Sequence, residues 1–243
     1  MSIGLSEQEI LRRESLKQLR DLGIEPYPAE SYEVNAYAAD INANYEKDKT
    51  AYKTISIAGR LMTRRIMGSA SFAELQDSTG RVQLYLKRDD LCPDEDKTLY
   101  NTVFKKLLDL GDYIGVKGYV FTTQTGEISV HVTSFTVLAK SLKPLPVVKR
   151  DDEGNIYDGF TDPELRYRMR YVDLTVNPDY KQIFIKRSKV INSMRSYFDE
   201  QGWMEVETPI LQPIHGGAAA RPFATHHNAL DMPLYLRMRM SYT

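Results

Sequence analysis

Cysteine is nearly absent: Cys92 stands alone, which excludes an intrachain disulfide and argues against a cysteine-built zinc site. No apolar run approaches the length of a membrane span, and the N-terminus lacks the basic-then-apolar layout of a secretory leader. The cytoplasm is therefore the expected compartment. An excess of either charge is also missing. Thirty-two Lys/Arg against 33 Asp/Glu leave a net charge of −1, which speaks against wholesale polyanion binding but not against one local basic face. What is present, 42% hydrophobic and 27% charged residues over 243 positions, describes a globular chain of one large or two modest domains.

Ser6 with Glu9 forms a capping box and Gly23 a stop, which predicts a helix from Ser6 to Leu22. Ile10, Leu16 and Leu19 make its inward stripe. Arg12, Arg13, Lys17 and Arg20 mingle with Glu7, Glu9, Glu14 and Asp21 as a solvated mixed-charge face. Pro26-Tyr27-Pro28 breaks the chain, and a weaker helix is expected over Asn35–Tyr45. From Thr54 the period becomes that of strands: Ile55 to Met62, Ser69 to Gln76, and Arg81 to Leu86, the last two flanking the hairpin chemistry of Asp77-Ser78-Thr79-Gly80. Tyr100, Val103, Phe104, Leu107 and Leu108 follow helical spacing with one buried face. Asp112 to Phe121 and Glu127 to Val132 form a second hairpin around Thr125-Gly126, and Phe135 to Leu138 add a last strand. Strand, hairpin, helix, hairpin is the order of a five-stranded OB barrel, a fold that binds single-stranded nucleic acid by stacking bases and reading their edges.

Lys143-Pro144-Leu145-Pro146 and Asp151-Asp152-Glu153-Gly154-Asn155 mark a linker. The division expected is residues 1–50 as a helical extension, 51–141 as the barrel, 142–162 as the linker and 163–243 as a second domain, α+β in class. Thr161 or Asp162 caps a helix with Pro163 at its first turn, continuing to Leu174. Asn177-Pro178 starts the next, to about Gln201, with Ile183, Val190, Met194 and Tyr197 on one stripe. Between Glu164 and Arg195 eight Lys/Arg face three Asp/Glu, a local surplus of five that reads first as a solvated face and second as a phosphate contact.

Gly202-Trp203-Met204-Glu205-Val206-Glu207-Thr208-Pro209 reads as a helix end, a short strand around Met204–Val206 and a stop at proline. In Gly216-Gly217-Ala218-Ala219-Ala220-Arg221-Pro222-Phe223 the two glycines and three alanines carry almost no side-chain bulk. The run suits either a tight turn or close backbone approach to a small ligand. His215, His226 and His227 read as structural histidines, because adjacent strand residues face opposite sides and cannot share one metal ion.

The run from Gly202 to Pro209 resembles motif 1 of class II aminoacyl-tRNA synthetases. The run from Gly216 to Phe223, with Thr225-His226-His227-Asn228-Ala229-Leu230-Asp231, resembles the lysyl member of that class. The likeness spans about Leu5 to Arg237. It implies the start of an antiparallel-sheet catalytic domain after the barrel, a homodimer interface including Trp203, Val206 and Pro209 with Trp203 as a buried anchor, and tRNA(Lys) as partner. ATP and Mg²⁺ are the implied cofactors of the complete enzyme. By pattern alone Phe72 reads as core and Gln83 as an exposed strand residue. The resemblance instead gives Phe72 a stacking role on a central anticodon uridine, Gln83 and Glu127 hydrogen bonds to its edge, and Arg65 a place beside them. An amide and a carboxylate together satisfy the carbonyl and N–H of a uracil edge, which cytosine mispairs. The backbone of Gly217 is the implied lysine contact.

Motif 2 and motif 3 of the class, with their arginines and Mg²⁺-binding carboxylates, have no counterpart in the sequence, so no catalytic residue is named. Met238-Arg239-Met240-Ser241-Tyr242-Thr243 also departs from the lysyl pattern, which continues Ile-Ala-Asn-Glu-Leu-Tyr-Leu-Lys. Deleting one base from CGT ATT GCG AAT GAG CTA TAC CTG AAA gives Arg-Met-Arg-Met-Ser-Tyr-Thr and a stop, so a frameshift is expected. The expected outcome is a lysine–tRNA ligase fragment that binds an anticodon without catalysis, its second domain poorly folded or prone to aggregate. A dedicated OB-fold tRNA-binding module is the alternative, and a lysyl-transferase paralogue ranks behind it.

Overall fold

Ser6 begins the first ordered element of the computed structural model, as a capping box should: its Oγ accepts from the Glu9 N–H at 3.3 Å and the Glu9 carboxylate accepts from the Ser6 N–H at 2.9 Å. Helix α1 (Glu7–Asp21) ends at Gly23, whose φ of 75° lets Ile24 N–H turn back to Leu19 C=O at 3.0 Å. The inward stripe differs from the expected one. Ile10 is 46% exposed, while Arg12 is buried and donates to the carbonyls of Ser141 at 2.9 Å and Leu110 at 3.0 Å. Those carbonyls satisfy the two terminal nitrogens and so offset part of the cost of burial, while Nε is buried without a partner. The structure describes residues 4–146, 149–150, 156–157, 160–214 and 221–237, and the chain divides into two compact units, Met1–Val172 and Asp173–Thr243.

Helix α2 (Ala38–Asn44) is shorter than expected. Asp77 holds its first turn: Oδ2 accepts from Ala38 N–H at 2.7 Å, while Oδ1 accepts from the N–H groups of Thr79 and Gly80 in the hairpin turn. Strands β1 (Ile55–Met67), β2 (Ala70–Gln76) and β3 (Arg81–Lys87) form an antiparallel meander. A short helix α3 (Arg88–Leu91) and a π-helix (Leu99–Leu107) follow, then β4 (Tyr113–Thr122) and β5 (Ile128–Ala139). The barrel closes in the order β1-β2-β3-β5-β4, with β3 and β5 parallel and all other pairs antiparallel. This is the five-stranded OB arrangement.

Two local readings change. The stretches 127–132 and 135–138 are one strand, continuous across a bulge where Lys117 pairs with Ser134 and Gly118 with Val132, leaving Thr133 extra. At that crossing a Cβ on Gly118 would stand 1.8 Å from the His131 carbonyl oxygen, so only glycine fits. The helix predicted from Tyr100 to Leu108 is wound more widely, with Leu108 N–H reaching Val103 C=O at 2.9 Å, five residues back. Tyr100, Val103, Phe104 and Leu107 all enter the core. Tyr100 Oη meets buried Ser71 Oγ at 2.7 Å, and Arg64 donates to the carbonyls of Phe104 and Leu108, capping the last turn.

Beneath the barrel, Lys140 Nζ donates to Asp112 Oδ2 at 2.8 Å and also to Asp109, with neither the Lys140 nor the Asp112 side chain exposed. Asp112 accepts further from the N–H groups of Asp109 and Ser141, both at 2.8 Å. Burial pushes the Asp112 carboxyl above the usual carboxylate range in spite of Lys140.

The expected linker holds a small ladder, β6 (Lys149–Arg150) against β7 (Ile156–Tyr157). Asp162 caps α4 (Pro163–Arg168), accepting from Leu165 N–H at 2.8 Å. The helix expected to reach Leu174 breaks at Met169, whose ψ of 52° is not helical, and restarts as α5 (Arg170–Val176). Helix α6 (Pro178–Glu200) ends at Gly202, φ 80°, with Trp203 N–H returning to Phe198 C=O at 3.0 Å. The strand expected around Met204–Val206 does not form. No described residue pairs with it, and the described sheet of this unit is β8 (Leu211–Gln212), β9 (Ala224–His227) and β10 (Met232–Leu236) in the order β8-β10-β9. Among the described residues no helix is long and apolar enough to cross a membrane.

Candidate nucleic-acid interface

Alternation decides which side chains of the meander face outward. Along β2, Ser71, Ala73 and Leu75 are buried, and along β3, Val82, Leu84 and Leu86 are. Phe72, Glu74, Gln83 and Tyr85 consequently share the outer face, with Phe72 opposite Tyr85 and Glu74 opposite Gln83 in register. Strand β1 adds Arg65 opposite Phe72, and β5 runs parallel to β3 with Ser129 opposite Gln83.

These residues surround a shallow cavity of about 440 Å³ lined by Arg65, Phe72, Glu74, Arg81, Gln83 and Glu127 among others. The four residues singled out in the barrel by sequence are thus brought to one place from β1, β2, β3 and the turn before β5. The Arg65 guanidinium lies 5.6 Å from the Phe72 ring centre. Phe72 is half-buried and leans on Tyr85, ring centres 5.2 Å apart at 48°. Tyr85 continues the aromatic surface to Phe121 at 5.7 Å and His131 at 5.2 Å, and His131 stacks on Tyr119 at 4.7 Å. His131 Nε2 is 2.9 Å from Asp90, which fixes the ring. A half-exposed aromatic strip of this kind can stack bases, each worth about 1–3 kcal/mol.

The polar rim is less committed. Arg81 pairs with Glu74 at 3.1 Å and donates to Gln76 at 2.8 Å, both partners part-exposed, so the ion pair is worth less than about 1 kcal/mol and yields readily to a ligand. Glu127 is exposed, its own N–H held by Thr123 Oγ1 at 3.0 Å, and its carboxylate presents acceptors only. Ser129 Oγ donates to Gln83 Oε1 at 2.8 Å. Arg64, although it borders the cavity, is turned beneath it onto the π-helix carbonyls, and burial lowers its pKa. The surface therefore offers an aromatic platform, the Gln83 amide, the Glu127 carboxylate and exposed cations, a set able to hold a single-stranded base by face and edge.

Sequence reasoning passed over Tyr85, Glu74, Arg81, Ser129 and Asn42, whose amide donates to Arg81 C=O at 2.9 Å. The alternation of Arg81–Leu86 was signal enough for Tyr85, which sits two residues from Gln83 on the same face. Ser129 carried no such signal, because its pairing depends on the parallel β3/β5 closure.

Elsewhere the predicted residues scatter. Gly217 and His215 lie outside the described residues, as do 238–243. Trp203 is 63% exposed and Val206 65%, with Pro209 exposed as well, so the expected burial of Trp203 is not met within the chain. Trp203 makes an edge contact with Phe198 at 5.9 Å and borders an open groove between α6 and residues 203–208. His226 Nε2 bonds Asp231 at 3.1 Å, and His227 Nδ1 accepts from Leu230 N–H at 3.2 Å, consistent with structural histidines. Among the described residues no three His, Cys, Asp or Glu side chains gather as a metal site, and none is assigned to Mg²⁺ or ATP.

Comparison with known proteins places this geometry. Residues 55–138 match the OB-fold nucleic acid binding domain model, and residues 162–242 match that of the class II tRNA synthetases of the D, K and N group, a match that includes the terminal residues set apart above. A lysine–tRNA ligase of Porphyromonas gingivalis is 65% identical over 237 residues, 97% of this chain and 41% of the relative. One from Azobacteroides pseudotrichonymphae is 62% identical over 96% of this chain and 46% of its own length, and one from Christiangramia forsetii 58% over 96% and 40%. The chain thus spans less than half the length of these relatives. Within that span it carries an OB-fold nucleic acid binding domain and part of a class II tRNA synthetase domain of the D, K and N group, and its sequence is similar throughout to lysine–tRNA ligases.

Proposed function

We propose that this chain is the anticodon-reading portion of a cytoplasmic lysine–tRNA ligase, with residues 51–141 as the binding domain. The carrying observation is the convergence of Arg65, Phe72, Gln83 and Glu127 on one cavity of the barrel's outer face. Phe72 stacks on the central base of the anticodon. Gln83 donates to a base carbonyl while Glu127 accepts from the adjacent imide N–H. Uracil offers that carbonyl and N–H. Cytosine offers an amino group and a bare nitrogen at the same positions and leaves both protein groups mispaired. Arg65 and Arg81 supply cationic balance for the phosphates beside the base.

Lysine activation with ATP and transfer to the tRNA 3′ end belong, in this proposal, to the whole ligase, and the 243-residue chain binds without turning over. Fluorescence anisotropy with anticodon stem-loops bearing U or C at the central position tests the binding half. Preference for U by about tenfold or more is expected, and equal affinities would refute the reading. Lysine-dependent ATP–pyrophosphate exchange tests the other half: measurable exchange by the purified chain would refute the absence of turnover.

The groove beside α6 supports a self-associating partner. Met194, Trp203, Met204 and Val206 are each more than half exposed there, an apolar surface suited to a second copy of the same chain.

A further inference from the structure

The amide of Gln83 can face the cavity in either of two orientations, and only one of them donates. Ser129 decides between them. Its side chain has no exposed surface, it is the register partner of Gln83 across the parallel β3/β5 pair, and its Oγ lies 2.8 Å from Gln83 Oε1. The other neighbour of that hydroxyl, the Glu127 carbonyl, is 3.4 Å away and is likewise an acceptor. The hydroxyl could accept from a flipped amide only by sending its one proton to the Glu127 carbonyl at 3.4 Å, beyond a good O–H···O bond, so donation to Gln83 Oε1 at 2.8 Å is the favoured arrangement. Gln83 Oε1 is thereby occupied by a buried hydroxyl of the neighbouring strand, and the Nε2 amino group is the end left for a ligand.

We infer that Ser129 is a specificity-positioning residue: by holding Gln83 Oε1 it fixes a donor, rather than an acceptor, at the base-reading surface. This deepens, and rests on, the uracil-reading role proposed above. With the donor fixed, Gln83 and Glu127 together present one donor and one acceptor, the complement of an imide edge. With the hydroxyl removed, the amide turns freely, and the flipped form presents acceptors from both residues. That form opposes the uracil carbonyl and no longer penalises the cytosine amino group. A contact made wholly by a buried residue thus sets the discrimination of a surface it does not touch.

The test compares the wild-type chain with Ser129→Ala and Ser129→Thr, using anticodon stem-loops with U or C at the central position. Ser129→Ala is expected to lower the U-over-C affinity ratio about three- to tenfold, the worth of one ordinary hydrogen bond. Ser129→Thr keeps the hydroxyl and is expected to restore most of the ratio. Damage to folding lowers both affinities together and leaves the ratio intact, so the ratio separates positioning from stability. Should either variant fold poorly, Gln83→Glu supplies the second reading: its carboxylate also accepts from Ser129 but has no N–H to give, and the ratio must fall at least as far. Wild-type discrimination with an unchanged ratio in Ser129→Ala or Gln83→Glu overturns the role of Ser129. Absence of discrimination in the wild type overturns the underlying uracil reading instead.

Discussion

Arg65 and Phe72 are register partners across β1 and β2, and the guanidinium stands 5.6 Å from the ring centre. At an exposed site such a pair is worth about 0.5–1 kcal/mol, enough to orient the ring and little enough to be exchanged for a base. The two residues should therefore fail differently. Phe72→Ala is expected to weaken binding of anticodon loops by about 1–3 kcal/mol whatever the central base, because stacking is indifferent to base identity. Arg65→Met is expected to flatten the salt dependence, lowering the log–log slope by about 0.7 for one lost phosphate contact on a single strand. Salt titrations of both variants by anisotropy decide it. A loss in Phe72→Ala confined to one base would remove the ring from the platform.

In the proposed reading Glu127 contributes the acceptor half of the edge. Glu127→Gln preserves shape but replaces a charged acceptor by an amide that can also donate. Hydrogen bonds to charged groups contribute about 1.5–3 kcal/mol. The U-over-C preference is accordingly expected to fall by about ten- to a hundredfold, mainly through weaker binding of U. Competition between the two loops on one sample measures this directly, and a preference equal to wild type would exclude Glu127 from base contact.

How far the site was legible in the sequence depends on which kind of contact fixes each residue. Local rules located the Ser6–Glu9 capping box, the Asp77–Gly80 turn and the alternating strands, since each is settled within a few residues. The family likeness pointed to roles for Phe72 and Gln83, still to be tested, that alternation alone does not suggest. Tertiary closure supplied the rest. Ser129 meets Gln83 only because β3 and β5 lie parallel, and Arg12 is buried only because the Leu110 and Ser141 carbonyls arrive from distant loops. Helical spacing from Tyr100 to Leu108 identified the buried face correctly but not the wider winding. The strand predicted at Met204–Val206 failed because a strand needs a neighbour, and its sequence says nothing of whether one is present.

The buried Lys140–Asp112 pair carries a pH-dependent prediction. Burial raises the folded-state pKa of Asp112 above its ordinary value of 3.8. The group's contribution to stability is then complete below that ordinary value and declines as pH rises through the raised one. Lys140 opposes the rise, so Lys140→Met should push the carboxyl higher and leave an uncompensated charge near neutrality. A loss of about 3–5 kcal/mol is expected at about pH 7. Acidification lets the raised Asp112 carboxyl take up its proton, and the gap in Tm between variant and wild type should narrow as pH falls. A gap that stays constant or widens on acidification would contradict the assignment of the raised pKa to Asp112.

Helix α6 and the segment after it expose more apolar surface than a lone chain keeps in water: Met204 is 85% exposed, Val206 65%, Trp203 63% and Tyr197 60%. Of the charged groups that border this face, Arg195 and Glu205 are paired at 3.1 Å. Covering such side chains yields on the order of 25 cal/mol per Å² of apolar area, so contact between two copies is favoured as concentration rises. The purified chain is therefore expected to associate reversibly, with Trp203→Glu combined with Val206→Glu returning it to the monomer. Both side chains already face solvent, so the pair of substitutions should leave far-UV circular dichroism unchanged. Sedimentation velocity across a concentration series is the check. A wild-type chain that sediments as a monomer throughout would show that this face needs no partner, whereas association that persists in the double variant would locate the interface elsewhere.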